Sequence, residues 1–233
     1  KVEAGQLDLE EVDFNLEETI EAINDILAIA PQQKGLEYTN LIDSAVPRSL
    51  RGDPGRLKQV LMNLLGNAIK FTSEGEIHLR VSVIKDDGDR VALRFLVDDT
   101  GIGIPEDRLP MLFDAFTQAD ASTPRRFGGS GLGLSICQRL VALMDGEMGV
   151  ESHVGQGSSF WFTAVFQHGA GNTSDWRPPS SDELRDRRVL VVDDNATNRR
   201  ILNRQLCEWG CHVTESVDAE TAMRELPSAK ESG

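Results

Sequence analysis

The sequence predicts a protein of the α/β class, organised in two parts. Apolar, β-branched runs such as Val91–Asp98 are typical of strands, and they alternate with long stretches of helical periodicity such as Asp53–Thr72. A shift toward Gly, Ser, Asp and Pro over residues 169–187 indicates a linker. Beyond it, a compact strand, an amphipathic helix and a second short strand predict the start of another α/β domain.

Composition and charge narrow the functions open to the chain. Its 233 residues carry a net charge of -14, whereas nucleic-acid and anionic-membrane surfaces need basic patches. Three cysteines without regular spacing indicate a reducing compartment, and no apolar run approaches the ~20 residues that span a bilayer. We therefore expect a cytoplasmic segment that contacts neither nucleic acid nor membrane. Because the chain begins at Lys1 without a methionine, we expect a piece of a longer protein, either soluble or anchored in the inner membrane.

The elements before the long helix follow one another in short segments. Val, Phe and Leu alternate with polar residues over Val12–Leu16, as in a half-buried strand, and the isoleucines of Leu16–Pro31 recur at helical spacing. Lys1–Glu10 is predicted as the end of a charged helix with an extended link. Glu37–Ile42 and Ser49–Arg51 are predicted as two short strands.

The helix predicted over Asp53–Thr72 carries a polar stripe opposite its apolar face. Asp53 is a capping residue, and a proline follows it at the first helical position. Gln59, Asn63, Asn67 and Lys70 recur at spacings of four, four and three, so they share one face of the helix. The stripe is either a solvated face or a site. Near glycine loops, amide oxygens for Mg²⁺ and a lysine for phosphate favour the site.

The stretch Val97–Ile104 ends a strand on two carboxylates and then breaks into Gly-x-Gly. Such an end presents an acceptor at a sheet edge, beside bare backbone that a flat or phosphorylated ligand can approach. The same residues also occur in ordinary turns. The Asn-rich helix before it and a second glycine loop after it favour a binding site. The preceding strand, Glu76–Lys85, is predicted to pair with it antiparallel.

The second glycine loop, Gly128–Gly133, opens another helix. N–H groups at a helix start attract an anion, and the helix dipole adds to the attraction. The polar stretch Thr117–Gly129 before it predicts a lid. Pro105–Phe116 is predicted as a short helix with Phe113 and Phe116 as an aromatic core pair. The helix that follows the second glycine loop is predicted to bury Leu134, Ile136, Leu140, Val141 and Met144. Glu147–Ser152 and Ser158–Phe166 are predicted as the two closing strands.

These motifs together resemble the nucleotide-binding boxes of sensor histidine kinases. Asn63–Thr72 is similar to their N box, Asp99–Ile104 to the first glycine box and Phe113–Phe116 to the F box. Gly129–Gly133 and Gly155–Gly157 are similar to the second and third glycine boxes. The resemblance covers residues 11–168 and implies the Bergerat ATP-binding fold, a two-layer α/β sandwich shared with gyrase and mismatch-repair ATPases.

The resemblance also implies ATP and Mg²⁺ as cofactors and a role for each site residue. Asn67 would hold Mg²⁺, and Asp99 would accept from the adenine amino group. Asn63 and Lys70 would approach the phosphates as catalytic residues. Further cofactor-binding positions would line the base, cradle the phosphates or lie in the lid: Gly101, Gly103, Ile104, Arg126, Gly129, Gly131, Leu132 and Gly133.

One position distinguishes two reactions on that fold. Hydrolysing relatives carry a glutamate one turn before the metal asparagine, where it deprotonates water. Here that place is Asn63, and an amide is a poor general base. The resemblance therefore favours phosphoryl transfer to a protein histidine. The alternatives are a non-catalytic nucleotide-binding regulatory module and a gyrase-type ATP hydrolase.

The phosphoacceptor is predicted to lie outside the chain. In the family, the accepting histidine belongs to a helical dimerisation domain, and none of His78, His153, His168 and His212 has its sequence context. We expect that domain to precede Lys1 and to make the parent, a bacterial two-component kinase, a homodimer. Expected partners are that domain and receiver or phosphotransfer domains.

Residues 188–233 resemble the opening of a response-regulator receiver, a doubly wound flavodoxin-like domain. Asp193 and Asp194 end its first strand and would hold Mg²⁺, unless they are solvated loop carboxylates. We expect the domain to be incomplete, because the acceptor aspartate and lysine of a receiver do not occur before Gly233. Cys207, Cys211 and His212 offer three candidate zinc ligands without a fourth, which argues against zinc.

Overall fold

A computed structural model describes residues 9–114, 132–170 and 184–230. The chain divides into two compact units, Lys1–Asn172 and Thr173–Gly233. The first is the N-terminal unit and the second the C-terminal unit. Among the described residues, no helix has both the length and the apolar character that crossing a membrane requires.

The described part of the N-terminal unit contains one mixed sheet, in the order β1-β3-β7-β5-β4-β2 with β6 also paired to β7. The β2–β4 pair is parallel, and the other pairs are antiparallel. Alternate residues of the central strands point into the core, and the rings of Phe95 and Phe162 stack with centroids 4.6 Å apart. The strands are β1 Val12–Asn15, β2 Glu37–Ile42, β3 Ser49–Gly52, β4 Glu76–Asp86, β5 Arg90–Asp99, β6 Met148–His153 and β7 Gly157–His168.

Helices cover one face of this sheet, which confirms the predicted two-layer sandwich. Their buried residues join those of the sheet in one hydrophobic core. The largest contribution comes from α3, whose apolar face is fully buried from Leu57 to Leu65. The helices are α1 Leu16–Leu27, α2 Ile29–Lys34, α3 Pro54–Phe71 and α4 Gly133–Leu143, with a 3-10 helix at Glu106–Met111.

Three local predictions are wrong, each for an identifiable reason. The helix expected over Leu16–Pro31 is two helices that reach Lys34, since Pro31 has no N–H to continue the first ladder and Gly35 ends the second at φ 67°. The helix expected over Pro105–Phe116 is 3-10 at Glu106–Met111 and contains Pro110. Ile136 is 41% exposed, because the buried stripe of α4 follows Cys137, Leu140, Val141 and Met144.

The C-terminal unit has the predicted strand–helix–strand–helix order. Strands β8 Arg188–Val192 and β9 His212–Ser216 pair in parallel. Helix α5 Ala196–Glu208 connects them as a crossover, and α6 Ala219–Lys230 follows. Asn195 caps α5 by accepting from the N–H groups of Thr197 and Asn198.

Candidate functional site

Helix α3 positions three of the predicted site residues on one partly exposed face. Asp53 caps its first turn by accepting from the Arg56 N–H at 2.9 Å. Two turns further along, the Asn67 Nδ2 donates to the Asn63 Oδ1 at 3.2 Å. This bond orients the Asn67 amide so that its nitrogen faces Asn63 and its oxygen points away, available to a cation.

The first residue of α4 packs directly against this face. A Cβ added to Gly133 would overlap the side-chain amide of Asn63, so a larger residue here would have to displace that amide. Leu132 caps α4, and its carbonyl accepts from the Ser135 hydroxyl at 3.0 Å. We call Asn63, Asn67, Lys70, Leu132 and Gly133 the Asn67 side of the site. Phe116, Arg126, Gly129 and Gly131 lie outside the described residues.

The last turn of α3 is fastened from two directions. The Lys34 ammonium donates to the carbonyls of Ile69 at 2.5 Å, Thr72 at 3.0 Å and Lys70 at 3.4 Å. The Phe71 carbonyl accepts from the Ile102 N–H at 3.4 Å. The Lys70 ammonium itself lies 4.8 Å from the centroid of the Phe71 ring. The helix end that carries Lys70 is therefore tied to α2 and to the first glycine box.

Asp99 is the last residue of β5, and it pairs with Ser158 of β7. Burial raises the pKa of its carboxyl group, and the charge of Asp98 acts in the same direction. The N–H groups of Gly101, at 2.8 Å, and Ser158 bond to the carboxylate and oppose that rise, as does the nearby Thr72 hydroxyl. The Thr72 Oγ1 is buried and makes no hydrogen bond of ordinary length to the described residues. Asp99 is thus an acceptor held by fixed backbone donors.

Around Asp99 the backbone segments approach too closely for side chains. A Cβ added to Gly157, at φ 98°, would overlap the Asp99 carbonyl, and one added to Gly103, at φ 69°, would overlap the carbonyl of His153. A Cβ at Gly101 would lie 2.6 Å from the Phe71 carbonyl oxygen and 2.8 Å from the Asp99 Oδ1. We call the segment Asp99–Ile104 with Ser152, Gly157 and Ser158 the Asp99 side of the site.

Sequence reasoning missed the supporting residues of both sides. Ser152 is buried, and its hydroxyl accepts from the Ile104 N–H at 2.8 Å. Ser158 and Thr72 lie beside the Asp99 carboxylate, and Lys34 holds the end of α3. Gly157 lies in the predicted third glycine box, but no role was predicted for it. The position of Ser158 directly after that box was the sequence signal that could have identified Ser158. No sequence pattern links Lys34 to α3.

The chemistry of this donor set fits a nucleotide with Mg²⁺. Asn67 presents an amide oxygen, which is a hard ligand, and Lys70 adds a cation on the same face. Asp99 provides an acceptor, and the glycines around it leave bare backbone that a flat base can approach. The two sides meet where the Ile102 N–H bonds the Phe71 carbonyl.

The C-terminal unit holds Asp193 in a local network. Its Oδ1 accepts from the Asn195 N–H at 2.8 Å, its Oδ2 from the Asn198 Nδ2 at 3.4 Å, and its carbonyl from the Arg199 guanidinium at 2.7 Å. Asp194 is exposed. Among the described residues, no group of three His, Cys, Asp or Glu side chains could hold a metal ion. The described part of this unit therefore shows an acidic pair without a third His, Cys, Asp or Glu beside it, and no zinc cluster at Cys207, Cys211 and His212.

The chain is similar to a protein family and to known sensor kinases. Residues 52–168 match the family described as histidine kinase-, DNA gyrase B-, and HSP90-like ATPase. The sensor histidine kinase GacS of Pseudomonas protegens is 43% identical over 214 residues, which is 92% of this chain and 23% of that protein. The signal transduction histidine-protein kinase BarA of Escherichia coli is 48% identical over 162 residues, 70% of this chain and 18% of BarA. The chain thus spans about a quarter or less of these two relatives.

Solved structures show the same architecture. Full-length ShkA in complex with AMPPNP superposes with a TM-score of 0.76 at 34% identity, over 95% of this chain and 44% of ShkA. The nucleotide-free catalytic domain of the histidine kinase ThkA superposes with a TM-score of 0.53 at 26% identity, over 67% of this chain and 97% of that domain. The sandwich of the N-terminal unit is therefore that of histidine kinase catalytic domains.

Proposed function

Since this chain belongs to the histidine kinase-, DNA gyrase B-, and HSP90-like ATPase family, we propose that it is the catalytic ATP-binding part of a hybrid sensor histidine kinase. It transfers the γ-phosphoryl group of ATP to a histidine on a dimerisation domain, for relay to a receiver aspartate. Residues 11–168 form the catalytic domain, 169–187 the linker and 188–233 part of a receiver. The chain acts in the cytoplasm, where ATP is available, within a homodimeric parent.

The Asn63–Asn67 amide pair is the observation that carries this proposal. Asn63 occupies the position from which a general base would act on water, and its amide instead contacts Asn67 and Gly133. Since an amide does not take up a proton at neutral pH, the site holds the nucleotide without a residue that activates water there. The sensor kinases GacS and BarA, similar over most of this chain, support transfer over hydrolysis.

The residues of the site divide the work of binding and transfer. Asp99 accepts from the adenine amino group, and Ile104 lies along the base. Asn63 and Lys70 approach the phosphates, and Asn67 holds Mg²⁺, which when bound neutralises charge on the transferred group. The histidine nitrogen bonds to the γ-phosphorus in line as the bond to the β–γ bridging oxygen breaks and ADP leaves, and Lys70 and backbone donors would stabilise the transition state. Leu132 lies along the base with Ile104, and Gly133, with Gly129 and Gly131, cradles the phosphates.

Transfer of label in trans tests the proposal. The chain is mixed with a separately supplied dimerisation domain and γ-labelled ATP, with and without Mg²⁺. We expect metal-dependent label on that domain that is labile in acid and stable in base. A dimerisation domain with its histidine replaced by glutamine is the matched control and should stay unlabelled. Nucleotide binding without transfer to a competent domain would favour a regulatory module, and release of labelled phosphate alone would favour a hydrolase.

A further inference from the structure

Ser152 lies at a junction of three backbone segments in the Asp99 side. It belongs to β6 and is 8% exposed. Its Oγ accepts from the Ile104 N–H at 2.8 Å and donates to the Gly157 carbonyl at 2.9 Å. The Ser158 Oγ lies 2.9 Å from it. A serine hydroxyl has one hydrogen to donate and two lone pairs, so Ser158 is the donor in the last bond and the capacity of Ser152 is filled.

These bonds connect the first glycine box with the third. Ile104 ends the first box, Gly157 closes the third, and Ser158 pairs with Asp99 across β7 and β5. The Gly155 N–H adds a parallel tie by donating to the Ile102 carbonyl at 2.8 Å. Ile104 and Asp99 are thus held at one separation through Ser152 and Ser158.

We infer that Ser152 is a positioning residue for base recognition: its hydroxyl sets the separation between Ile104 and Asp99, and with it the preference for adenine over guanine. This inference rests on the proposed function. Adenine presents an amino group to Asp99 at the position where guanine presents a carbonyl oxygen, so the preference depends on where the carboxylate stands. The difference in binding free energy between adenine and guanine is lost when the Asp99 carboxylate or Ile104 shifts.

Removing the hydroxyl should loosen this frame. In Ser152→Ala, the Ile104 N–H and the Gly157 carbonyl lose a buried partner, and the two boxes separate or admit water. We expect ADP affinity to fall about tenfold or more and the ratio of GDP to ADP dissociation constants to fall about as much. Ser158→Ala removes one of the three bonds and leaves the other two, so a smaller fall in both quantities is expected.

Titration calorimetry with Mg·ADP and Mg·GDP tests the inference on the full chain. A merely structural role would lower the melting temperature and leave the GDP to ADP ratio unchanged. The matched control is Ser216→Ala, which removes another buried serine hydroxyl, bonded to the Asp218 carbonyl at 3.1 Å in the C-terminal unit. It should leave both nucleotide affinities unchanged.

Two further outcomes keep the result decisive. If Ser152→Ala does not fold, Ser152→Cys replaces the hydroxyl by a thiol that bonds weakly, and it should show the same loss of preference. A folded Ser152→Ala or Ser152→Cys protein with ADP affinity and GDP to ADP ratio within twofold of the unmutated chain overturns the inference. If the unmutated chain binds neither nucleotide, the proposed function itself fails.

Discussion

The two sides of the site are built by different means. On the Asp99 side, backbone meets backbone: Gly157 lies against the Asp99 carbonyl and Gly103 against that of His153. On the Asn67 side, side chains of one helix face project toward the site, and Gly133 contacts that face through bare backbone. Glycine substitutions on the Asp99 side should therefore act through packing and stability, whereas side-chain substitutions on the Asn67 side should act through chemistry and leave the fold unchanged.

Gly157→Ala should have the largest effect, because it forces a side chain into the Asp99 side. The added Cβ overlaps the Asp99 carbonyl, and the backbone stands at φ 98°. We expect the free energy of unfolding of the N-terminal unit to fall by about 2–5 kcal/mol. ADP binding should be lost as well. Urea denaturation followed by circular dichroism measures it.

Gly155→Ala is the matched control for that change. Gly155 also has a positive φ, 77°, but nothing lies within 4 Å of its added Cβ. The backbone strain alone should cost about 1–2 kcal/mol. Equal losses in the two variants would show that close packing at Gly157 contributes nothing, and the contrast between the two sides would disappear.

Asn67→Asp should show the opposite behaviour on the other side. The new carboxylate cannot donate to the Asn63 Oδ1 and changes the charge offered to Mg²⁺. We expect label transfer to fall on the order of 100-fold, about 2.7 kcal/mol, while the melting temperature moves little because the position is partly exposed.

Gln59→Glu makes the same amide-to-acid change one turn before Asn63, at an exposed position of the same stripe. Label transfer should be unchanged in this control. If Asn67→Asp transfers label as well as Gln59→Glu does, the metal assignment of Asn67 is wrong.

Asp99→Asn separates stability from recognition. Burial raises the pKa of Asp99, so the folded protein binds this proton more tightly than the unfolded chain, and the ionised group costs stability above its ordinary pKa. That cost to stability is relieved as pH falls through the raised pKa of Asp99. In the same range the carboxylate takes up a proton and is lost as an acceptor for adenine. At neutral pH the variant should melt no lower than the unmutated chain, yet lose about 1–3 kcal/mol of ADP binding.

A calorimetric pH series measures this difference. ADP affinity of the unmutated chain should decline on acidification because Asp99 takes up a proton, and the decline should be absent in Asp99→Asn. Equal ADP and GDP affinities in the unmutated protein would remove Asp99 from base recognition.

The sequence predicted the Asn67 side more completely than the Asp99 side, for a physical reason. The spacing of Asn63, Asn67 and Lys70 on a helix determines that they share a face, so local periodicity is sufficient. The partners of Asp99 come from residues far along the chain, such as Ser158, and depend on the register of β5 with β7. Register follows from the assembled sheet, which a local pattern does not contain.

The same limit explains the local errors. Ile136 is exposed, and the next residue, Cys137, is buried. Which of the two faces the core depends on how α4 packs against α3. The early end predicted for the helix at Pro31 overlooked a second helical turn that Gly35 closes. Strand bounds were predicted to within two residues because alternation is a local property of the chain.

Lys34→Met should have the smallest effect, and it tests whether support from α2 matters to the Asn67 side. The variant keeps most of the aliphatic stem but loses the three bonds to the carbonyls of Ile69, Lys70 and Thr72. Losing a cation from a helix C-terminus costs about 1 kcal/mol, which corresponds to a melting temperature about 2–4 °C lower. Because Lys70 sits on that turn, ADP affinity should fall about threefold. Lys34→Arg should restore both quantities, and Lys58→Met, the same change in the first half of α3, should alter neither. A lower melting temperature with unchanged ADP affinity would show that the last turn of α3 keeps Lys70 in place without Lys34.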